Sequence, residues 1–285
     1  MNKNIAELFK DAVKSLNQNY DDRESEQIAY ILFEEIGYNK HFLLTNPETI
    51  AEEKSINRLN SFLTEMSKGR PVQYVIGKAY FLDFILEVSE GVLIPRPETE
   101  ELVVKAYSVI ENFPEKPQKI LDVGTGSGCI AISLKHKFPD IEVTALDNST
   151  DALNIAKKNA KKLGVDIHFL QADFLEDEIA SDVYWDLIVS NPPYVKKSEM
   201  EGLEKHVRDF EPMPALFPPG EDACIFYRNI AAYGAKQLTE KGKVIVEIHP
   251  DLHKEIKEIF EAKGFKKIEI LKDFSGRKRI LVGER

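Results

Sequence analysis

This chain has few cysteines, no long apolar run and no excess of positive charge, and each absence narrows its class. Only Cys129 and Cys224 occur among 285 residues. One falls at a predicted helix start and the other at a loop end, so they form no disulfide framework, which suits the cytosol. No apolar stretch approaches the roughly 18 residues that a membrane helix needs. The segment from Lys3 to Lys14 has helical spacing at Ile5, Leu8, Phe9, Ala12 and Val13, and it carries too many charges for a signal peptide. Lys and Arg number 38 against 48 Asp and Glu, a formal net charge of -10. That balance disfavours nonspecific binding to long nucleic acid, although a local basic surface remains possible. No internal repeat or low-complexity tract is evident. At 43% hydrophobic content the chain can form one large domain and a small one.

The apolar pattern changes character once along the chain. Up to about Lys68 it is helical, with Ile28, Ile31, Leu32 and Ile36 on one face and Ile56, Leu59, Phe62, Leu63 and Met66 on another. Asn46-Pro47 breaks this small helical bundle. Alternation and aromatics between Tyr74 and Leu93 predict a hairpin. After Pro97 the pattern becomes helix, strand, helix, strand, which means a parallel sheet covered on both faces. Strands are predicted at 119–123, 141–147, 167–173, 185–190 and 242–248, with a closing pair at 266–272 and 279–283. The expected organisation is a helical domain over 1–73, a β-hairpin linker over 74–95 and an α/β domain over 96–285.

Candidate site residues gather where these strands end, the place where open α/β sheets bind ligands. Asn191-Pro192-Pro193-Tyr194 follows the strand at 185–190. Its two prolines fix φ twice and remove two donors, and Pro192 holds Asn191 extended. What remains is acceptors, namely the Asn191 side-chain oxygen and the carbonyls of Asn191 and Pro192, with the Tyr194 ring alongside. That set suits a planar group bearing an NH2. Upstream, Gly124-Thr125-Gly126-Ser127-Gly128 forms a turn before a helix opening at about Ser127, and glycines there let backbone approach a ligand closely. The third glycine comes one residue too early for the G-x-G-x-x-G spacing of dinucleotide folds. Asp122, before the turn, suits an amino group better than a pyrophosphate. Asp147 ends the next strand, where a carboxylate can accept from both ribose hydroxyls. Asp173-Phe174 offers an acceptor and an aromatic surface for adenine. The plainer alternatives are that Asp147 caps the helix near Ser149 and that Phe174 is core.

The order of these features resembles that of S-adenosylmethionine-dependent methyltransferases. Two further segments narrow the likeness. Gly69-Arg70-Pro71-Val72-Gln73-Tyr74-Val75-Ile76-Gly77 resembles the G-x-P-x-Q-Y-x-x-G segment of the HemK/PrmC family, and Val92-Leu93-Ile94-Pro95-Arg96-Pro97-Glu98-Thr99-Glu100 resembles its V-L-I-P-R-P-E-T-E signature. Glu211-Pro212, Tyr227-Arg228 and Lys272-Asp273 with Gly276-Arg277 are similar to family positions as well. Two stretches depart from the pattern and receive no role, 217–224 and Glu247-Ile248-His249, which lacks a glycine after the acid.

The resemblance implies a class I methyltransferase fold: a Rossmann-like, mostly parallel seven-stranded sheet with an N-terminal helical bundle and a linking hairpin. It implies methyl transfer from S-adenosylmethionine, leaving S-adenosylhomocysteine, to the side-chain amide nitrogen of the glutamine in the GGQ motif of class 1 peptide chain release factors, tuning translation termination. Gly124, Thr125, Gly126, Ser127, Gly128, Asp147, Asp173, Phe174 and Asn191 are the expected cofactor residues. Asn191, Pro192, Pro193 and Tyr194 are expected to hold the amide, with Asn191, Pro192 and Tyr194 as catalytic residues that orient it rather than deprotonate it. A cytoplasmic monomer without membrane, metal or direct nucleic-acid partner is expected. The alternatives are an adenine exocyclic-amine methyltransferase of nucleic acid and a non-catalytic S-adenosylmethionine-binding protein. Arg96 and Glu98 suit an ion pair that ties the hairpin to the catalytic domain and helps shape the cofactor pocket's entrance. His249 and His253, four apart with Asp251 and Glu255 nearby, read as a solvated face rather than a metal site.

Overall fold

Side-chain caps start the first helices of the computed structural model, which describes residues 3–179 and 182–285. Residues 1 and 2 of the expected helical segment lie outside that description. Helix α1 (Ile5–Leu16) opens at Asn4, whose side-chain oxygen accepts from Glu7 N at 2.8 Å while the Glu7 carboxylate accepts from Asn4 N at 3.4 Å. Two end donors are satisfied reciprocally in this way. Asp21 and Asn39 cap α2 (Asp22–Glu35) and α3 (Lys40–Thr45). Next come α4 (Glu53–Ser67) and α5 (Val72–Ile76), which stops at Gly77 with φ of 72°. Ile5, Leu8, Ala12 and Leu16 form the buried stripe of α1 in a core shared with Leu32, Phe33, Leu59 and Met66. Of the expected faces, Ile31, Ile56, Phe62 and Leu63 lie only partly buried at the rim of that core. The compact unit comprises Met1–Lys78 together with Glu204–Phe210.

The second unit is Ala79–Leu203 with Glu211–Arg285. Strands β1 (Lys78–Phe81) and β2 (Phe84–Glu87) make a separate hairpin, and α6 (Pro97–Glu111) starts with proline in its first turn. Then come β3 (Lys119–Val123), α7 (Cys129–Lys137), β4 (Glu142–Asp147), α8 (Thr150–Leu163), β5 (His168–Gln171) and β6 (Trp185–Ser190). After α9 (Lys205–Phe210), which belongs to the first unit, and the short α10 (Met213–Leu216), the chain forms α11 (Ile225–Gln237), β7 (Leu238–Glu247), α12 (His253–Ala262), β8 (Lys266–Lys272) and β9 (Lys278–Glu284).

The seven strands are ordered β5-β4-β3-β6-β7-β9-β8, all parallel from β3 to β7, with β9 antiparallel to both neighbours. This is the expected mostly parallel sheet. One core lies between the sheet and α6, α7 and the hairpin, and a second lies under α11 and α12. The strand order reverses beside β3, where the chain winds first toward β5 and then toward β7. That switch point lies at the carboxyl ends of β3 and β6, the place where open α/β sheets bind ligands. Two boundaries differ from expectation. Helix α7 begins at Cys129 rather than Ser127, because Gly124, Gly126 and Gly128 all have positive φ and none can continue a helix. Strand β7 begins four residues early, since Leu238 pairs with Trp185 ahead of a register shift.

Candidate active site

Register brings the two motifs together. Val123 pairs with Ser190, so the glycine turn and Asn191-Pro192-Pro193-Tyr194 leave the sheet from adjacent strands at the same level. The Ser190 hydroxyl donates to the Val123 carbonyl at 2.7 Å and ties the two ends together.

On the β3 side, Gly124 N and Thr125 N donate to the Leu146 carbonyl, each at 2.9 Å, which folds the turn against the end of β4. Asp147 holds the turn from the other side. Its Oδ2 accepts from Gly126 N and its Oδ1 from Ser149 N, both at 2.9 Å. The helix cap here is Ser149, which accepts from Ala152 N, so Asp147 is not the cap of α8. Burial pushes the Asp147 carboxyl above its ordinary range, opposed by these backbone donors. A Cβ on Gly124 would meet nothing within 4 Å, whereas one on Gly128 would lie 2.9 Å from Ile132 Cδ1. Gly124 therefore leaves open space at the strand ends, and Gly128 is small because α7 and α8 close over it. Asn159 of α8 is fully buried and pins three pieces. Its amide pairs with the Glu87 N–H and C=O at 2.7 and 3.0 Å and donates to the Ser127 carbonyl at 2.9 Å. The hairpin is thus anchored to the glycine turn.

Asp122 lies fully buried beneath the turn. Its Oδ2 accepts from the Thr125 hydroxyl at 2.7 Å and from Ala131 N at 3.2 Å, while Oδ1 has no partner among the described residues. Burial pushes its carboxyl up to about 7. Past β5, Asp173 folds its own loop, with Oδ1 accepting from Leu175 N at 2.9 Å. Phe174, expected to face adenine, stands next in the chain. It is 8% exposed, packs in the core and meets the Tyr233 ring edge-on at 5.4 Å. An apolar ring between a polar loop and an apolar sheet face is stabilised by turning inward, and spacing alone could not exclude that.

On the β6 side, Pro192 is buried and Asn191, Pro193 and Tyr194 are half-buried. Ser190 pairs with Val246, so the strand ends set Asn191 level with Glu247. Glu247 is the residue that sequence reasoning missed. It is 1% exposed, its Oε1 accepts from the Tyr194 hydroxyl at 2.8 Å, and its Oε2 accepts from the Thr99 hydroxyl at 2.8 Å. Thr99 in turn accepts from Asn191 Nδ2 at 2.9 Å. Arg279 donates to the Tyr194 hydroxyl at 3.4 Å and to Asp273 at 3.3 Å. Burial, then the Glu247 carboxylate, hold the Tyr194 hydroxyl well above the usual phenol range. Burial also raises the Glu247 carboxyl, opposed by the two hydroxyl donors and by Arg279. The available signal was a lone acid ending a buried strand.

The run from Ile94 to Glu101 spends its polar groups on separate partners. Arg96 pairs with the buried Glu211 at 2.5 Å, and Glu211 also accepts from Ile94 N at 3.2 Å. This replaces the expected pairing with Glu98, since a carboxylate sealed in the interior needs the cation more than an accessible one does. Glu100 accepts from Leu82 N at 2.7 Å, holding the hairpin tip, and Glu101 accepts from Phe274 N at 3.1 Å.

His249 is buried rather than on a solvated face, and it takes different partners from His253. His249 accepts from Asp251 N through Nδ1 at 3.2 Å and faces Glu199 through Nε2 at 3.1 Å, which assigns the proton to Nε2. Ligand atoms of Glu199, His249 and Asp251 come within 4.8 Å of one another, yet neither imidazole nitrogen has a spare lone pair for a cation. Burial pushes the thiols of Cys129 and Cys224 up to about 12, so neither is a nucleophile. A cavity of about 880 Å³ runs past Lys119, Glu142, His168 and Trp185, where β3 to β6 begin. None of the glycine-turn or 191–194 residues lines it. The site is located by the strand ends, not by volume. Among the described residues no helix is long and apolar enough to cross a membrane.

Comparison with known proteins agrees with this geometry. Residues 106–207 match the family described as Methyltransferase small domain, and residues 7–77 match the PrmC N-terminal domain. The release factor glutamine methyltransferase of Flavobacterium psychrophilum is 37% identical over 98% of this chain and 97% of its own. Those of Bacteroides thetaiotaomicron and Bacillus subtilis are each 35% identical, over 95% and 98% of this chain and 97% of their own lengths. Among solved structures, the Thermus thermophilus 16S rRNA N2 G1207 methyltransferase in complex with AdoMet and guanosine has a TM-score of 0.54 at 18% identity, covering 73% of this chain and 49% of that one. A methyltransferase from Pyrococcus furiosus has a TM-score of 0.51 at 17% identity, covering 80% and 98%. These two share the fold. The curated relatives stay more than a third identical along nearly the whole of both chains, so the chain belongs to the release factor glutamine methyltransferase family.

Proposed function

We propose that this protein transfers a methyl group from S-adenosylmethionine to the side-chain amide nitrogen of the GGQ glutamine in class 1 peptide chain release factors. One observation carries the reading: the Val123–Ser190 pairing sets an acceptor-rich turn, Asn191-Pro192-Pro193-Tyr194, directly beside a glycine turn at the sheet's switch point. The residues fit the cofactor. Asp122 Oδ1 is a buried acceptor with no partner among the described residues, which suits an ammonium donor, and Gly124 leaves room for close backbone approach. Gly124, Thr125, Gly126, Ser127 and Gly128 would hold the amino-acid end, Asp147 the ribose hydroxyls and Asp173 the adenine amine. Phe174 serves as the floor beneath that end. When bound, S-adenosylmethionine supplies an electrophilic methyl group on a positively charged sulfur.

The chain's own part is to aim the amide. The Asn191 side-chain oxygen and the Pro192 carbonyl accept its two hydrogens, and the Tyr194 ring packs on its plane. The Tyr194 hydroxyl is not the base, since burial and Glu247 keep it protonated; the substrate nitrogen sheds its proton after it has gained the methyl group, when it is strongly acidic and needs no strong base. Orientation and exclusion of water carry the rate. Residues 1–73 are read as the substrate-recognition domain, 74–95 as a linker and 96–285 as the catalytic domain, in a cytoplasmic monomer. A glutamine loop alone offers a small surface, so the helical domain supplies a second contact with the release factor.

Radiolabelled methyl transfer to release factor, to release factor with its GGQ glutamine changed to alanine, and to DNA and RNA tests the reading. Label is expected on the first substrate alone. Label on nucleic acid, or on the alanine variant, overturns it.

A further inference from the structure

We propose that Thr99 and Glu247 are positioning residues for methyl transfer, because together they dictate which atom of the Asn191 carboxamide faces the substrate. The inference rests on the reading of Asn191 given above and adds to it the origin of that residue's polarity.

A carboxamide is nearly symmetric in shape but not in hydrogen bonding. One end accepts and the other only donates. A substrate amide nitrogen carries two donors, so the site works only when Asn191 presents its oxygen. With the amide turned over, N–H would face N–H, and the nucleophile would be pushed away rather than held. Pro192 and the backbone set where Asn191 sits, yet they do not choose between its two ends.

The choice is made at the far end of a buried chain of hydrogen bonds. Each oxygen of Glu247 accepts from a hydroxyl, and Arg279 already donates to one of those hydroxyls, so the acid has no proton of its own to give. Glu247 uses Oε2 to accept the one proton of the Thr99 hydroxyl at 2.8 Å. Having spent that proton, Thr99 can only accept on its other side, and what lies there at 2.9 Å is Asn191 Nδ2. The Asn191 oxygen must then point the opposite way, and among the described residues no donor engages it. Thr99 is 2% exposed and Glu247 is 1% exposed, so solvent cannot supply substitute donors to scramble the order. The Tyr194 hydroxyl donates to the other oxygen of Glu247 at 2.8 Å, so the same carboxylate also fixes the tyrosine ring. One acid thus sets both side chains said to hold the substrate amide. The parts come from the first turn of α6, the end of β6 and the end of β7.

The test compares Thr99→Val, which keeps the shape and removes the hydroxyl, with Thr99→Ser, which keeps the hydroxyl. With release factor as substrate, Thr99→Val is expected to lower kcat by roughly 10–100-fold, the scale of a misaimed reactant. Cofactor affinity by calorimetry should be little changed, and Thr99→Ser should recover most of the rate. The double variant Thr99→Val/Asn191→Ala should be no slower than Asn191→Ala alone, because both act through one group. Full turnover by Thr99→Val, or losses that multiply in the double variant, overturns the proposal. Should Thr99→Val fail to fold, the isosteric Glu247→Gln carries the same expectation, since its amide can donate to Thr99 and reverse the order. A second readout needs no activity. The Asn191 side-chain NH2 signals in NMR, assigned by their loss in Asn191→Ala, should resist exchange in the unaltered protein and lose that protection in Thr99→Val. Unprotected signals in the unaltered protein overturn the relay. Protected signals in a protein that never labels release factor leave the relay standing and sink the substrate reading instead.

Discussion

The two halves of the candidate site are built on different principles. The cofactor half is held over shorter separations: Thr125 bonds Asp122 three residues away, Gly126 bonds Asp147 21 residues away and Ser127 bonds Asn159 32 residues away. The substrate half is assembled at long range, with Tyr194 bonding Glu247 across 53 residues, Asn191 bonding Thr99 across 92 and Thr99 bonding Glu247 across 148. In the first half, backbone shape does the work, and glycines with positive φ write that shape into contiguous sequence. In the second, hydrogen-bond polarity does the work, and polarity depends on which residues the fold brings together. A methyl donor can be held by a turn, but a weak amide nucleophile has to be aimed by side chains whose own orientation is enforced.

If that contrast is right, substitutions in the two halves should fail differently. The largest effect is expected from Asn191→Ala, which should lower kcat by roughly 100–1000-fold, the scale seen when one pre-organised polar group is removed from a reacting centre. Steady-state kinetics on release factor measures it. Next comes a pH effect confined to the cofactor half. The Asp122 carboxyl is raised from its ordinary value to about 7, so the stability it contributes is fully present below its unfolded pKa and is lost as pH rises through about 7. Between pH 5 and 7 the ligand-free protein should lose on the order of 2–3 kcal/mol that Asp122→Asn does not lose. Denaturant melts of both proteins at the two pH values check this. Within the glycine turn, Gly128→Ala should cost about 1–3 kcal/mol more than Gly124→Ala, since both pay for positive φ but only the first is overpacked. Thermal unfolding of the pair distinguishes them. The smallest effect on turnover is expected from Tyr194→Phe, about tenfold or less, because the ring face stays and one hydroxyl hydrogen bond is lost. A loss matching that of Asn191→Ala would make the hydroxyl a direct participant.

The same contrast explains what could be read from the sequence. Strands 119–123, 185–190 and 266–272 coincide with β3, β6 and β8, because short β-branched and apolar segments bounded by turn residues leave little freedom. Asp147 was legible as the acid ending the second parallel strand, and its placement against Gly126 follows from β3–β4 pairing. Phe174 was not, since an aromatic after a strand fits core and ligand face equally well until the neighbouring Tyr233 is known. Arg96 was matched to the nearest acid in sequence, whereas burial made Glu211, 115 residues away, the partner. Glu247 and Thr99 were given no role of their own for a related reason. An acid ending a strand and a threonine opening a helix are each ordinary, and they acquire meaning only once register sets Asn191 level with Glu247.

The most direct test of the two-part account is calorimetric titration of S-adenosylmethionine into Asp147→Ala and Asn191→Ala side by side. The account predicts that Asp147→Ala weakens binding by about 1–3 kcal/mol, the value of charge-assisted hydrogen bonds, while Asn191→Ala changes it by clearly less. Equal losses in the two variants, or an unchanged affinity in Asp147→Ala, would contradict it.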